Sequence, residues 1–236
     1  YFMEHPAVRT TARIDRETNP EPAAFLTMIS EQFYDGGRAP PGSILLKFSH
    51  SGPTSPIEST LSGGQPTAAA DAVEAVTGAD WGDAMLDGLD DANHTLWIGA
   101  NVEMLPRAEN RVQLDPDTTD AFGNPVPDVS FDVGEYAKTT AEEALSVSER
   151  IFDELGAEIT ARTDPSDPNF LSHHMGTTRM GTDPAESVVD ERLRTHDLDN
   201  CWIVSSSVFP TGGAANPTLT IAALAARTGE YLRAEL

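Results

Sequence analysis

The side chains best suited to proton transfer lie in the last quarter of the chain, at His173 and His174. Histidine titrates near neutral pH, so it is the usual acceptor of a proton from an alcohol. Both histidines precede a Gly-Thr-Thr turn and an arginine. Neighbouring residues of a strand point to opposite faces, so at most one of the two faces a given site if this segment is extended. A hydrogen-bonded core histidine and a surface pair remain alternatives at this point.

A second stretch, residues 209–220, predicts the start of a helix. Gly212 and Gly213 are small and turn-permissive, so a bulky ligand can approach the backbone there. Asn216 is a favourable N-cap, and Pro217 suits the first helical position because its missing N–H would be unpaired there. The free N–H groups from Thr218 onward would form a positive end that attracts an anion or an electron-rich ring edge. A capped core helix with nothing bound is the alternative.

Together, the two stretches resemble the C-terminal signature of the glucose–methanol–choline (GMC) flavin oxidoreductases. The blocks that carry the resemblance are His173-x-x-Gly176-Thr177-x-Arg179-Met180-Gly181, Val188-Val189-Asp190-x-x-x-Arg194-x-His196, Ser207-x-Phe209-Pro210-Thr211 and Asn216-Pro217-Thr218. The amino-acid sequence around His173 and Asn216 is most similar to that of the branch holding pyranose oxidases and sugar-acid dehydrogenases. Nearer the middle of the chain, Glu103-x-x-Pro106-x-x-x-Asn110-Arg111-Val112 looks like the family's substrate domain.

The resemblance implies a reaction: FAD-dependent oxidation of a sugar, sugar acid or polyol hydroxyl, with hydride passing to N5 of the flavin. His173 falls at the family position of the base that takes the hydroxyl proton, and Asn216 falls at the position of its partner. The implied cofactor contacts are Ser205, Ser206, Pro217 and Thr218. Many family members carry Asp where this chain has Ser205, so that contact departs from the family pattern.

The resemblance also implies an architecture. The fold class is α/β (α+β): a GMC-type substrate domain with an antiparallel sheet backed by helices, plus the C-terminal segment of a Rossmann-like FAD-binding domain whose N-terminal part is absent. Residues 1–8 are then a remnant of the FAD-binding domain, 9–165 the substrate-binding domain, and 166–236 the C-terminal part of the FAD-binding domain with the catalytic residues. No Gly-x-Gly-x-x-Gly occurs in the sequence, so we expect the N-terminal FAD-binding half upstream of Tyr1.

Hydrophobic patterning predicts elements for the rest of the chain. Strands are predicted at 8–14, 44–48, 95–104, 111–114, 129–133 and 201–205, and helices at 22–34, across 67–89 and at 135–155. The strands at 95–104 and 111–114 are expected to form an antiparallel hairpin. Residues 49–66 are predicted as a loop and 115–127 as a turn cluster. Gly156 is the expected C-cap of the last of these helices.

The chain is strongly acidic, with 38 Asp and Glu against 15 Lys and Arg and a net charge of −23. The acidic residues are scattered, which indicates a hydrated surface suited to high salt and suggests a halophilic source. Nucleic acid and anionic membranes are poor partners for such a surface. The single Cys201, predicted to be a core residue, excludes an internal disulfide. Without a membrane-spanning or signal-like run, we expect a cytoplasmic protein.

Two functions from different classes remain open. The first is FAD-dependent oxidation of a small-molecule alcohol or sugar, with an unknown electron acceptor. The second is a truncated, non-catalytic fragment that binds a partner half or a carbohydrate and holds no FAD alone. His5 is expected either near the cofactor or as a turn residue before Pro6. A zinc site is disfavoured because no Cys or carboxylate lies at metal-ligand spacing from the histidines.

Overall fold

The computed structural model describes residues 1–18, 28–34, 42–49 and 94–235. Its strands are β1 (Pro6–Arg13), β2 (Met28–Phe33), β3 (Ile44–Ser49), β4 (Thr95–Val102), β5 (Arg111–Thr119), β6 (Pro125–Ser130), β7 (Glu158–Arg162) and β8 (Asn169–Phe170). Its helices are α1 (Gly134–Glu154), α2 (Thr218–Glu235) and a short 3-10 turn at Ser206–Val208. Of the predicted loop 49–66, Ser49 is the last residue of β3, and residues 50–66, like the helices predicted across 67–89, lie outside the described residues.

The main sheet has the order β2-β3-β4-β1-β7, with β8 also pairing with β1. Every pairing in it is antiparallel. One face of β1, β3 and β4 packs against α1 and forms the larger apolar core, which includes Val8, Leu46, Ile98, Ala144 and Leu145. The prediction of a mixed α/β fold with an antiparallel sheet backed by a helix is therefore confirmed.

Helix α1 matches its prediction within one residue at each end. Small and apolar residues recur on one face and are buried, among them Ala137, Ala141 and Ala144. Gly156 follows the helix with φ +66°, and its N–H donates to the Asp153 carbonyl. Glycine adopts this left-handed conformation without the penalty that a side chain would impose. Gly156 thus ends the helix as predicted.

The predicted hairpin between 95–104 and 111–114 is wrong. β4 pairs with β1 and β3, whereas β5 pairs with β6 in a separate two-stranded sheet. The run from Trp97 to Val102 is buried on both faces, so β4 belongs in the middle of a sheet, while β5 is almost wholly exposed. The predicted turn cluster at 115–127 is largely strand as well. Only residues 120–124, with Gly123 at φ +83°, form the turn between β5 and β6.

Two further predictions are wrong where the structure describes them. Residues 28–33, read as part of a helix, form the exposed strand β2. Residues 201–204 contribute a single β-bridge, Trp202 to Arg194, instead of a buried strand. Cys201 is only half-buried for the same reason. Both segments lie where a few bridging contacts, rather than the local apolar pattern, decide the backbone.

A second apolar cluster holds the C-terminal part of the chain together. Its members are Met3, Met175, Val189, Leu193, Val208 and Phe209. The polypeptide between β8 and α2 has little regular structure and is tied by isolated bridges, such as Met180 to Val189. Within the described ranges, no helix combines the length and apolar character that crossing a membrane requires. The domain boundaries at residues 8 and 165 stay a prediction.

Candidate active site

The segment before β1 lies directly against the loop that carries the two histidines. Met3 and Met175 exchange backbone hydrogen bonds of 2.8 and 2.9 Å. Gly176, at φ +86°, lies so close to the N-terminal residue that an added Cβ would be 2.2 Å from the Tyr1 carbonyl oxygen. Only glycine fits there. The first residues of the chain are thereby brought against a loop more than 160 residues away.

A buried carboxylate fixes the backbone of both histidine-bearing segments. Glu4 is 2% exposed, and its Oε1 accepts hydrogen bonds from the backbone N–H of His5 at 2.8 Å and of His173 at 2.7 Å. Its Oε2 lies 2.8 Å from Nδ1 of the exposed His174, close enough for an ion pair but without hydrogen-bond alignment. Ser172 has φ +59°, so the chain turns sharply just before His173. The two histidines consequently point to different surroundings.

Three side chains then form a continuous row. Nδ1 of His5 lies 2.9 Å from Nδ1 of His173, and the two rings meet edge-on at 82°. Nε2 of His173 lies 3.3 Å from Nδ2 of Asn216. The structure thus brings together His173 and Asn216, which are 43 residues apart in sequence. Their catalytic roles stay a prediction.

The electrostatic surroundings keep both imidazoles of the row neutral. Burial lowers the pKa of His5 to about 4; His173 and Lys47 add to the lowering, and the Gly213 backbone opposes it. Burial also lowers the pKa of His173, with Glu4 opposing and Lys47 and His174 adding to the effect. A histidine with a lowered pKa keeps a ring nitrogen lone pair at neutral pH. His173 is therefore in the state that can accept a proton.

The loop before α2 is held by the main sheet. The buried Asn101 of β4 donates from Nδ2 to the Ala214 carbonyl at 3.3 Å. An added Cβ would lie 2.8 Å from the Met175 side chain at Gly212 and 2.4 Å from the Tyr34 hydroxyl at Gly213. The two glycines were expected to admit a ligand. In the structure they make room for side chains of this chain, and the loop that ends in Asn216 is fixed as a result.

Helix α2 begins at Thr218, one residue later than predicted, and the Pro217 carbonyl accepts its first hydrogen bond from Ile221 N–H at 3.0 Å. Pro217 is buried and Thr218 is exposed. Leu219 is 82% exposed. The N-terminus of α2 thus presents an open surface beside Asn216.

The serines predicted to contact a cofactor lie at the start of the 3-10 turn that is hydrogen-bonded to the loop carrying His173 and His174. Ser205 Oγ accepts from Ser207 N–H at 3.1 Å and lies 2.6 Å from Ser207 Oγ, which makes Ser205 the cap of the 3-10 turn. Ser206 Oγ donates to the His174 carbonyl at 2.6 Å. The Ser206 carbonyl in turn accepts from Gly176 N–H at 3.2 Å. A cofactor contact of Ser205 and Ser206 stays a prediction.

Sequence reasoning overlooked Glu4, Lys47 and Asn101 in this region. The Glu-His-Pro sequence at residues 4–6 contained the relevant residues, but nothing in it signals that the glutamate is buried. Among the residues that the structure describes, no group of three or more His, Cys, Asp or Glu side chains is arranged to hold a metal ion.

Comparison with known proteins adds the family. A sequence model described as GMC oxidoreductase matches residues 106–225, which include both His173 and Asn216. The chain belongs to the GMC oxidoreductase family. It is 38% identical over 143 residues to the fructose dehydrogenase large subunit of Gluconobacter japonicus, covering 61% of this chain and 26% of that one. It is 41% identical over 133 residues to 2-methyl-1,2-propanediol dehydrogenase of Mycolicibacterium austroafricanum, covering 55% and 24%.

Pyranose 2-oxidase of Lyophyllum shimeji is less similar, 28% identical over 125 residues, with 52% of this chain and 20% of that one covered. The chain spans about a quarter of the length of these curated relatives. Its fold is similar to pyridoxine 4-oxidase from Mesorbium loti, with a TM-score of 0.62, 17% identity, and 98% of this chain and 42% of that chain covered. A formate oxidase from Aspergillus oryzae, studied for FAD modification, follows at a TM-score of 0.59, 13% identity, and coverage of 99% and 47%.

Proposed function

We propose that this chain carries the proton-accepting side of an FAD-dependent enzyme that oxidises a sugar, sugar-acid or polyol hydroxyl. The observation that supports it most is the 3.3 Å distance between His173 Nε2 and the Asn216 amide nitrogen. Burial lowers the pKa of His173, which favours the neutral ring that a base requires. The names of the relatives, which act on fructose, a propanediol and pyranoses, favour this substrate class.

In the proposed reaction His173 Nε2 takes the proton of the substrate hydroxyl. Asn216 Nδ2 donates a hydrogen bond to the same oxygen and keeps it within reach of the base, so the substrate is held in a reactive orientation. Glu4 keeps the backbone of His173 in place through its hydrogen bond to the N–H group. Loss of the hydroxyl proton and of the hydride converts the alcohol substrate into its carbonyl product.

FAD suits the donors beside this pair, and when bound it supplies the acceptor for the hydride that leaves the carbinol carbon. The exposed start of α2 offers helix N-terminal N–H groups and a positive dipole end, which attract an electron-rich ring edge. We propose that Pro217 and Thr218 line this edge. The hydroxyls of Ser205 and Ser206, already bonded within the chain, retain acceptor capacity for a further contact.

The test is flavin reduction by substrate in the intact enzyme, measured anaerobically by stopped-flow absorbance. His173→Ala should slow reduction by about two to four decades, the usual effect of removing a general base. His196→Ala is the matched control, because His196 bonds to Ser187 away from the row. Reduction at the wild-type rate in His173→Ala would remove this histidine from the mechanism.

A second function remains for the chain on its own. It spans about a quarter of its relatives and leaves the start of α2 open, which fits a fragment that needs another FAD-binding half. The absorbance spectrum of the purified 236-residue chain separates the two proposals. Flavin bands exclude the non-catalytic fragment that holds no FAD alone. A colourless preparation that shows no substrate-dependent flavin reduction even after the missing half is added supports the fragment.

A further inference from the structure

We propose that His5 is a positioning residue that fixes the tautomer of His173, so that the Nε2 lone pair faces Asn216 and the substrate. The proposal rests on the proposed function above, but its geometry is independent of any cofactor. His5 is 1% exposed, precedes Pro6 at the start of β1 and meets His173 through their Nδ1 atoms at 2.9 Å.

The tautomers follow from the donors and acceptors in the row. The amide nitrogen of Asn216 carries only hydrogens, so the Nε2 of His173 that faces it at 3.3 Å must accept. The single ring proton of neutral His173 is then on Nδ1. That proton points to Nδ1 of His5, which must therefore be unprotonated and accept it. One arrangement satisfies both contacts: His5 protonated on Nε2, and His173 protonated on Nδ1.

The groups around His5 keep it neutral, which this arrangement requires. His173 and Lys47 face it and, with its burial, lower its pKa, while the Gly213 backbone beside it favours the protonated ring. Nε2 of His5 is buried, and no group in the described part of the chain meets it with hydrogen-bond alignment. The carboxylate of Glu4 is held by the backbone N–H groups of His5 and His173 rather than by either ring.

The consequence is a base oriented by an uncharged partner. A carboxylate at the position of His5 would also orient His173, but its negative charge would stabilise the imidazolium and raise the pKa of His173. Neutral His5 orients the ring without that effect. Burial lowers the pKa of His173 most, and the charged or titratable groups that act on it are Glu4, which raises it, and Lys47 and His174, which lower it.

The first test measures the tautomer directly. Long-range 1H–15N NMR of the intact protein, with His173 assigned by comparison with His173→Gln, should show the Nδ1–H form at pH 7.5. His5→Asn, which offers an amide oxygen as acceptor, should keep that form, whereas His5→Leu should shift His173 towards the Nε2–H form. An Nε2–H form in the wild-type protein, or no change in His5→Leu, would overturn the proposal.

The second test uses kinetics. His5→Leu should lower the rate of flavin reduction by about 10- to 100-fold with little change in KM. The loss should be smaller than the roughly 10⁴-fold loss seen when a catalytic histidine loses its carboxylate partner and takes the wrong tautomer, because His5 is uncharged. His5→Asp should move the acid limb of kcat/KM up by about one pH unit or more, because a nearby negative charge raises the pKa of His173. An unmoved limb in His5→Asp contradicts the proposal.

The two tests separate this proposal from the proposed function. If His173→Ala leaves flavin reduction intact, the function is wrong, and the NMR result still decides the tautomer. If His173→Ala abolishes reduction while the His5 variants change neither the tautomer nor the pH profile, only the role of His5 is wrong. Circular dichroism and thermal unfolding of each variant establish that it is folded before either measurement.

Discussion

Replacing Glu4 with alanine should destabilise the protein far more than replacing an exposed glutamate. The substitution removes the acceptor of two backbone N–H groups, those of His5 and His173, in a position that is 2% exposed. A buried donor left without a partner costs about 1–3 kcal/mol. The His5 N–H is buried and the His173 N–H partly buried, so the free energy of unfolding should fall by about 1–4 kcal/mol. Glu4→Gln keeps a carbonyl oxygen at the same position but loses the charge, which should cost about 1–2 kcal/mol.

The assay is urea unfolding of the intact protein at pH 7.5, followed by circular dichroism. Glu135→Ala is the control, because the Glu135 side chain is 91% exposed and pairs with Lys138 across the first turn of α1. Such surface pairs contribute little, so the control should change stability by less than about 1 kcal/mol. A Glu4→Ala protein as stable as Glu135→Ala would refute the conclusion that this carboxylate holds the two histidine segments together.

Three further predictions concern backbone, pH and salt. Gly176→Ala should lower the free energy of unfolding by at least about 2 kcal/mol in thermal unfolding, because the added Cβ would lie 2.2 Å from the Tyr1 carbonyl oxygen. Gly123→Ala is the control: Gly123 also has a positive φ, +83°, but an added Cβ would meet nothing within 4 Å, so the loss should be only about 1 kcal/mol. Equal losses in the two variants would contradict the close contact at Gly176. Between pH 6.5 and about 4 the unfolded chain binds a proton at His5 that the folded protein does not, so the free energy of unfolding should rise with pH through this window. In His5→Asn that rise should be smaller by up to about 3 kcal/mol, because the titrating group is gone. The net charge of −23 predicts that Tm increases with KCl up to molar concentrations; a Tm independent of KCl would argue against adaptation to high salt.

Local periodicity was enough to predict the elements that bury a strong apolar pattern. Helix α1 was found within one residue, and β3 and β4 were found because their residues form continuous apolar runs. The pairing of these strands was not predictable in the same way. The neighbours of β4 in the sheet are β1 and β3, and such long-range pairings leave no mark in a local window. The predicted pairing of β4 with β5, the next strand in sequence, is wrong for this reason.

The secondary structure of weakly patterned segments was predicted wrongly for a related reason. Residues 28–33 have apolar side chains at spacings compatible with a helix, yet they form an edge strand because β3 offers them a hydrogen-bonding neighbour. The apolar run at residues 201–204 predicts a buried strand, but in the structure it forms a single β-bridge, between Trp202 and Arg194. In both cases tertiary neighbours decide the backbone, and propensity alone has too small an effect to do so.

For the candidate site, the resemblance to the GMC family singles out His173 and Asn216, and the structure brings these two together. The buried environment was not accessible from the sequence. Whether Glu4 and His5 are buried depends on the bridge between Met3 and Met175, a contact across most of the chain. The two glycines before Asn216 were read as room for a ligand, because a sequence does not reveal that Met175 and Tyr34 fill that space.

The row of His5, His173 and Asn216 joins segments separated by 168 and 43 residues. Contacts of such long sequence separation form late in folding, because closing the intervening loops costs entropy that local contacts do not repay. Helix α1, built from local hydrogen bonds, can form well before the imidazoles meet. Recovery of the proposed alcohol oxidation in the intact enzyme after dilution from urea should accordingly lag behind recovery of the helical signal, so the proposed activity would report the last steps of chain assembly.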